Sequence, residues 1–198
     1  MHPSRIEDDT VLHVDDLLSA GVGRYHPVEP CGTCVDESYC RIHGPNMQPR
    51  TRAILENIVC DVLNQLIGVR AYTCAEAQLP PVNQCMLACV GIRGALTGVL
   101  SVAAPLALCV EMAGDVLSAS FAHAGYARAE CAIGEIANVM AGRMALDMEP
   151  VEHTWLSPPA VMRSAWEDWA VLCGSNGTAC FDVNGKPLLV SADVREVT

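Results

Sequence analysis

The segment Cys131-Ala-Ile-Gly-Glu135-Ile-Ala-Asn138-Val-Met-Ala-Gly142 carries two superimposed patterns. Between Glu130 and Ala145, the residues Ile133, Ile136, Ala137, Met140 and Met144 return at helical spacing and mark an apolar side. Cys131, Glu135, Asn138 and Gly142 stand at i, i+4, i+7 and i+11, a second stripe on the same helix. The spacing predicts a helix from about Tyr126 to Leu146, buried along one side and carrying an acid and a carboxamide three residues apart on the other. A rigid helix with small neighbours holds such a pair where another protein can approach it. Taken alone the pair is also what an ordinary solvent face contains, because Glu favours helices and Asn tolerates exposure.

Upstream, Ile54, Leu55, Ile58, Val59, Val62, Leu63, Leu66 and Ile67 recur at helical spacing from Pro49, and Gly68 is placed to end the run. Val69 to Glu76 alternates weakly. Cys85 to Ile92 and Leu96 to Val102 are apolar runs separated by Arg93-Gly94-Ala95, and read as antiparallel strands with a tight connection. Pro105 suits the first turn of a helix whose buried stripe is Leu106, Cys109, Val110, Ala113 and Leu117. Downstream, Pro150 and Pro158-Pro159 stop helix formation. Asp168 to Cys173, Thr178 to Val183 and Leu188 to Val190 have the look of short strands, with hairpin turns at Asn176-Gly177 and Asn184-Gly185. The order of helix, strands, two helices and strands predicts an α+β fold, a largely antiparallel sheet with helices on one face.

The chain of 198 residues is 51% apolar, enough for one domain with a real core and an appendage. With 12 Lys and Arg against 23 Asp and Glu, the formal charge of -11 disfavours nucleic acid and anionic membrane surfaces as partners. The apolar stretch Leu96 to Met112 is broken by Gly98 and Pro105 and is too short to span a bilayer. Met1 to Leu18 holds Glu7, Asp8, Asp9, Asp15 and Asp16 where a secretory signal needs a basic end, so the expected location is the cytoplasm. Of the 11 cysteines, those after residue 48 lie mostly in apolar segments, and Cys60, Cys85, Cys89 and Cys109 read as reduced thiols packed as small hydrophobes.

Residues 1–48 differ from the rest: polar, acidic and rich in Pro, Gly and Cys, they form a separate segment from a domain at 49–198. Cys31, Cys34, Cys40 and His43 read C-x2-C-x5-C-x2-H, a spacing suited to tetrahedral zinc. A metal would order a segment with too few apolar residues for its own core. An iron–sulfur cluster, redox-sensing thiols and a tail with incidental cysteines are the other readings. His123 and His153 have no nucleophile in an obvious local motif, and Trp155, Trp166 and Trp169 are expected to supply apolar bulk near the sheet.

The segment Cys131 to Gly142 resembles the signature helix of the CheC, CheX and FliY phosphatases. Gly91-Ile-Arg-Gly94 through Gly98-Val-Leu-Ser is similar to that family's paired strands, and the Pro105 helix and Pro158-Pro159 fall where it has comparable elements, so that roughly residues 50–192 are covered. The resemblance implies a CheX-like domain docked on a phosphorylated CheY-like receiver, Glu135 pairing with the receiver's active-site lysine and Asn138 holding a water in line with the aspartyl phosphate. The receiver would supply Mg2+ and the phosphorylated carboxylate. Cys131 stands where the family usually has Ser or Asp, which weakens a supporting hydrogen bond. Asp61 and Asn64 of the first helix share the spacing with a shorter acid, so a single site resembles CheX more than two-site CheC. A homodimer is also implied by the family. The competing readings are a non-enzymatic CheX-like interaction domain with a metal- or redox-responsive N-terminal segment, and a component of the flagellar switch.

Overall fold

The computed structural model describes residues 47–74, 84–116, 125–148, 154–164, 169–170, 172–173 and 177–196. Its first element, helix α1 (Pro49–Ile67), has proline at its start, where the missing N–H costs nothing. It stops at Gly68, which takes the left-handed conformation at φ 66° and donates its N–H to the Asn64 carbonyl at 3.1 Å. The sheet comprises β1 (Ala71–Thr73), β2 (Cys85–Arg93), β3 (Leu96–Pro105), β4 (Trp155–Leu156), β5 (Ala160–Ser164), β6 (Thr178–Val183) and β7 (Lys186–Glu196), with α2 (Leu106–Val116) and α3 (Tyr126–Met148) between β3 and β4. The strand order is β1-β6-β7-β3-β2-β4, with β5 also on β2, and every pairing is antiparallel.

Local sequence sets the turns. Asn184 (φ 54°) and Gly185 (φ 75°) both take positive φ in the two-residue β6–β7 hairpin, and the Gly185 N–H donates to Asp182 Oδ1 at 2.9 Å. At Gly98 (φ 151°) the neighbouring strand comes so close that a Cβ would overlap the Asp193 carbonyl oxygen, so only glycine fits there.

Alternation along the strands sorts side chains onto two faces. Met86, Ala88, Val90 and Ile92 of β2 join Leu100, Val102, Phe181 and Val190 in the core beneath α1, α2 and α3. Each large apolar side chain buried there contributes about 1.5–3 kcal/mol. On the other face Cys85, Leu87, Ala103, Cys180 and Leu189 form a smaller cluster capped by Trp169, with Leu172 and Cys173 packed on it. α3 lies over β2 and packs against both other helices.

Four expectations need correction. Trp169–Ala170 and Leu172–Cys173 are helical, not part of a strand, because Trp169, Leu172 and Cys173 stand at i, i+3 and i+4 and dip together into the second cluster. Strands β4 and β5 flank Pro158-Pro159, where the sequence showed only a helix stop. Val110 is 47% exposed, and α2 buries Leu108, Cys109, Met112 and Ala113 instead. Trp155 is 72% exposed, since its partner position Arg93 lies at the open end of the second face, beyond the Trp169 cluster. Leu117, Trp166 and Asn176 lie outside the described residues. Among the described residues, no helix is long and apolar enough to cross a membrane.

Candidate functional site

One helix fixes the site. Ile133, Ile136, Ala137, Met140 and Met144 are all 0% exposed, which clamps the rotation of α3 about its axis. The stripe on the other side is therefore aimed outward: Cys131 and Glu135 are exposed, Asn138 and Gly142 half-buried. On a helix, residues three and four apart place their Cβ atoms about 5–6 Å from one another, so Glu135 and Asn138 can act on one ligand. Among the described residues, no hydrogen bond or ion pair engages either side chain.

Two flanks border the stripe. On the α1 side, Arg143 of α3 lies 3.7 Å from Asp61, both partly exposed, a contact worth no more than about 1 kcal/mol that ties the two helices. Asp61 and Asn64 are themselves exposed on α1. On the sheet side α3 meets the edge strands through residues without bulk: a Cβ at Gly134 would lie 3.2 Å from Val161 Cγ2 and 3.5 Å from Pro159 Cγ, and one at Gly142 would lie 3.8 Å from Leu156 Cδ1. Further along the same flank, the Arg163 guanidinium sits 4.5 Å from the Tyr126 ring centroid and 3.8 Å from Glu130, joining β5 to the start of α3.

Between β4 and β5 the chain arches. Ile92 pairs with Leu156 and Cys89 with Ala160, so Val90 and Gly91 of β2 face the three residues Ser157, Pro158 and Pro159. Ser157 locks the arch: its N–H donates to the Gly91 carbonyl at 2.9 Å, its Oγ accepts from the Gly91 N–H at 2.9 Å, and its hydroxyl donates to the Pro158 carbonyl at 3.0 Å. The sequence reading missed this flank. Its signal was the alternation Val161 and Arg163 after a proline pair, which is tolerated at a sheet edge.

The thiols divide by environment. Burial pushes the Cys109 thiol up to about 12, with the nearby Cys85 adding to the effect, and Cys109 donates to the Ala104 carbonyl. Burial also raises Cys89, against a lowering by its hydrogen bond with Ser101 at 3.4 Å. Cys131, by contrast, is exposed on the stripe one turn before Glu135. Cys31, Cys34, Cys40, His43, His123 and His153 lie outside the described residues. Among the described residues, no group of three or more His, Cys, Asp or Glu side chains is arranged to hold a metal ion.

Residues 86–179 match the family described as chemotaxis phosphatase CheX, a span that includes all but the first residue of β2, and β3, α2, α3, β4 and β5. No curated protein matches the chain. Solved structures do: the chemotaxis protein CheX of Vibrio vulnificus (14% identity, TM-score 0.53, 73% of this chain and 96% of that one), CheX in a CheX-CheY-BeF3-Mg complex from Borrelia burgdorferi (13%, 0.51, 74% and 98%) and CheX of Desulfovibrio desulfuricans (16%, 0.50, 74% and 99%). At these identities the likeness establishes the fold, and the resemblance read from Cys131 to Gly142 is thus met by a family match that contains the same helix and by a CheX-like α+β architecture.

Proposed function

We propose that the chain is a CheX-like phosphatase that hydrolyses the aspartyl phosphate of a CheY-like receiver in chemotaxis or related two-component signalling. The observation that carries this reading is the outward stripe of α3, on which Glu135 and Asn138 stand together on a helix whose rotation the core clamps. The family match contains that stripe, and the Borrelia burgdorferi relative is one that pairs with CheY in the presence of BeF3 and Mg.

Hydrolysis needs a water oxygen placed in line with phosphorus while the bond to the aspartyl oxygen breaks, releasing inorganic phosphate and restoring the carboxylate. Such transfer is accelerated mainly by positioning and electrostatics, so little covalent chemistry is asked of the protein. The Asn138 carboxamide would orient the water without repelling the phosphate, as a carboxylate would. Glu135 would pair with the receiver's active-site lysine and set the register of docking. Magnesium and the phosphorylated carboxylate belong to the receiver. A hundredfold contribution from Asn138 corresponds to about 2.7 kcal/mol of barrier, a size ordinary for one oriented hydrogen-bonding group.

The test is a time course of phosphate loss from each phosphorylated receiver of the organism, with magnesium, with and without the protein. Acceleration of one of them is expected. No acceleration of any would leave the second reading, an interaction domain that binds receivers without turning them over.

The N-terminal segment, 1–48, is proposed as a zinc module on Cys31, Cys34, Cys40 and His43, from the spacing of its ligands. Stoichiometric zinc in the full chain, lost in the Cys31→Ser, Cys34→Ser double variant, is the expected result; metal-free protein sinks it. Bound iron would point to an iron–sulfur cluster instead. A cytoplasmic setting and a homodimer complete the proposal, the latter checked by sedimentation of the full chain.

A further inference from the structure

We infer that the arch Ser157-Pro158-Pro159-Ala160 is the apolar wall against which the receiver docks, supplying affinity while Glu135 and Asn138 supply turnover; this rests on the proposed receiver reading. The first ground is position. Pro159 packs beside Gly134, the residue immediately before Glu135: a Cβ at Gly134 would lie 3.5 Å from Pro159 Cγ, van der Waals contact. A stable protein–protein interface covers about 800 Å² per partner, equivalent to a disc of roughly 16 Å radius. A receiver centred on Glu135 and Asn138 therefore covers the arch as well.

Chemistry and rigidity supply the second ground. Ser157, Pro158, Pro159 and Ala160 are all exposed. The two prolines carry no N–H, so at this point the sheet edge has no donors for another strand and presents mainly the apolar proline rings. Three hydrogen bonds between Ser157 and its neighbours, two of them to Gly91, hold the arch before any partner arrives, and a surface already ordered loses little entropy on binding. An exposed ion pair borders each flank, Asp61–Arg143 on the α1 side and Arg163–Glu130 beyond the arch. The four arch residues themselves carry no charge, whereas Asp61 is part of the α1 flank's own surface. Interface cores are depleted of charge and rich in fixed apolar contact, which selects the arch over the α1 flank as the docking anchor.

The experiment measures steady-state dephosphorylation of the receiver by the full chain, and binding to the receiver loaded with beryllofluoride and magnesium. Pro159→Glu and Ala160→Glu change exposed positions, and circular dichroism checks that each remains folded. Each is expected to raise KM and the Kd for the loaded receiver by about tenfold or more, as for an interface anchor, with kcat within about twofold. Asn138→Ala should do the reverse, losing kcat while binding the loaded receiver as the wild type does. Unchanged KM and Kd in both folded arch variants overturn the inference. If the wild type binds but hydrolyses no receiver, the phosphatase reading fails alone, and loss of binding in the arch variants still upholds the wall. If the wild type binds no loaded receiver, the inference falls.

Discussion

On one side of α3, Ile133, Ile136, Ala137, Met140 and Met144 have no exposed surface at all; on the other, one residue away from several of them, Cys131 and Glu135 stand in solvent with Asn138 and Gly142 half-covered. The buried side is held by the sheet core and by both other helices. The outer side is tied to nothing at Glu135 and Asn138 among the described residues. The difference separates two kinds of residue within one helical turn: those that hold the fold and those to which the proposed function assigns the chemistry. Substitutions can break that separation, and the largest expected effect lies on the buried side.

Ile136→Ala should lower unfolding stability by about 2–5 kcal/mol, read from a urea titration, because a fully buried side chain leaves a cavity under a helix that cannot collapse onto the sheet. Turnover per folded molecule should be unchanged. A variant that keeps its stability but loses activity would show that the two sides are not separable.

Glu135→Gln comes next. A hydrogen bond to a charged partner is worth about 1.5–3 kcal/mol, so kcat/KM on a phosphorylated receiver should fall by roughly 10- to 100-fold with the urea midpoint unmoved. An isosteric amide that works as well as the acid would remove the lysine-pairing role.

The same contrast extends to the thiols. Cys109 keeps its proton in the folded chain up to about 12, whereas an unfolded thiol loses it near 9.0, so the folded state binds more protons between those values. Stability is therefore full below the ordinary thiol range and falls as pH rises above it, by up to about 1.4 kcal/mol per unit from this group. A urea midpoint lower at pH 10 than at pH 8 is expected, and alkylation of native protein at pH 8 should modify Cys131 well before Cys109. Preferential labelling of Cys109 would contradict the packing described for α2.

The smallest effect is expected at Cys131→Ser. A hydroxyl donates a stronger hydrogen bond than a thiol, and the gain of about 1 kcal/mol would raise turnover around fivefold. A fall in rate would mean that the thiol itself supports the pair.

Much of this was legible in the sequence, for reasons that differ by element. α1, α3 and the Asn184-Gly185 hairpin were readable because local spacing and burial coincide: the residues that recur at helical spacing are those the core buries. The phase of α2 was not, since Leu106 to Val110 is apolar on every side and periodicity cannot say which residue turns inward. Asp168 to Cys173 misled for a related reason, a short apolar run compatible with strand or helix until Trp169 finds its cluster. At the site, the Glu135–Asn138 pair was readable because both residues lie on one element. The arch was not, because its shape comes from pairing with Cys89 and Ile92 more than sixty residues away.

The central claim is that Asn138 hydrolyses the receiver's phosphate by orienting water from a helix that remains fully folded without it. The direct measurement is single-turnover phosphate release from the phosphorylated receiver, at saturating protein and with magnesium, for wild type and Asn138→Ala side by side with their urea midpoints. A loss of about a hundredfold, some 2.7 kcal/mol, at an unchanged midpoint is the result predicted. Wild-type rates in a folded Asn138→Ala variant would contradict the account.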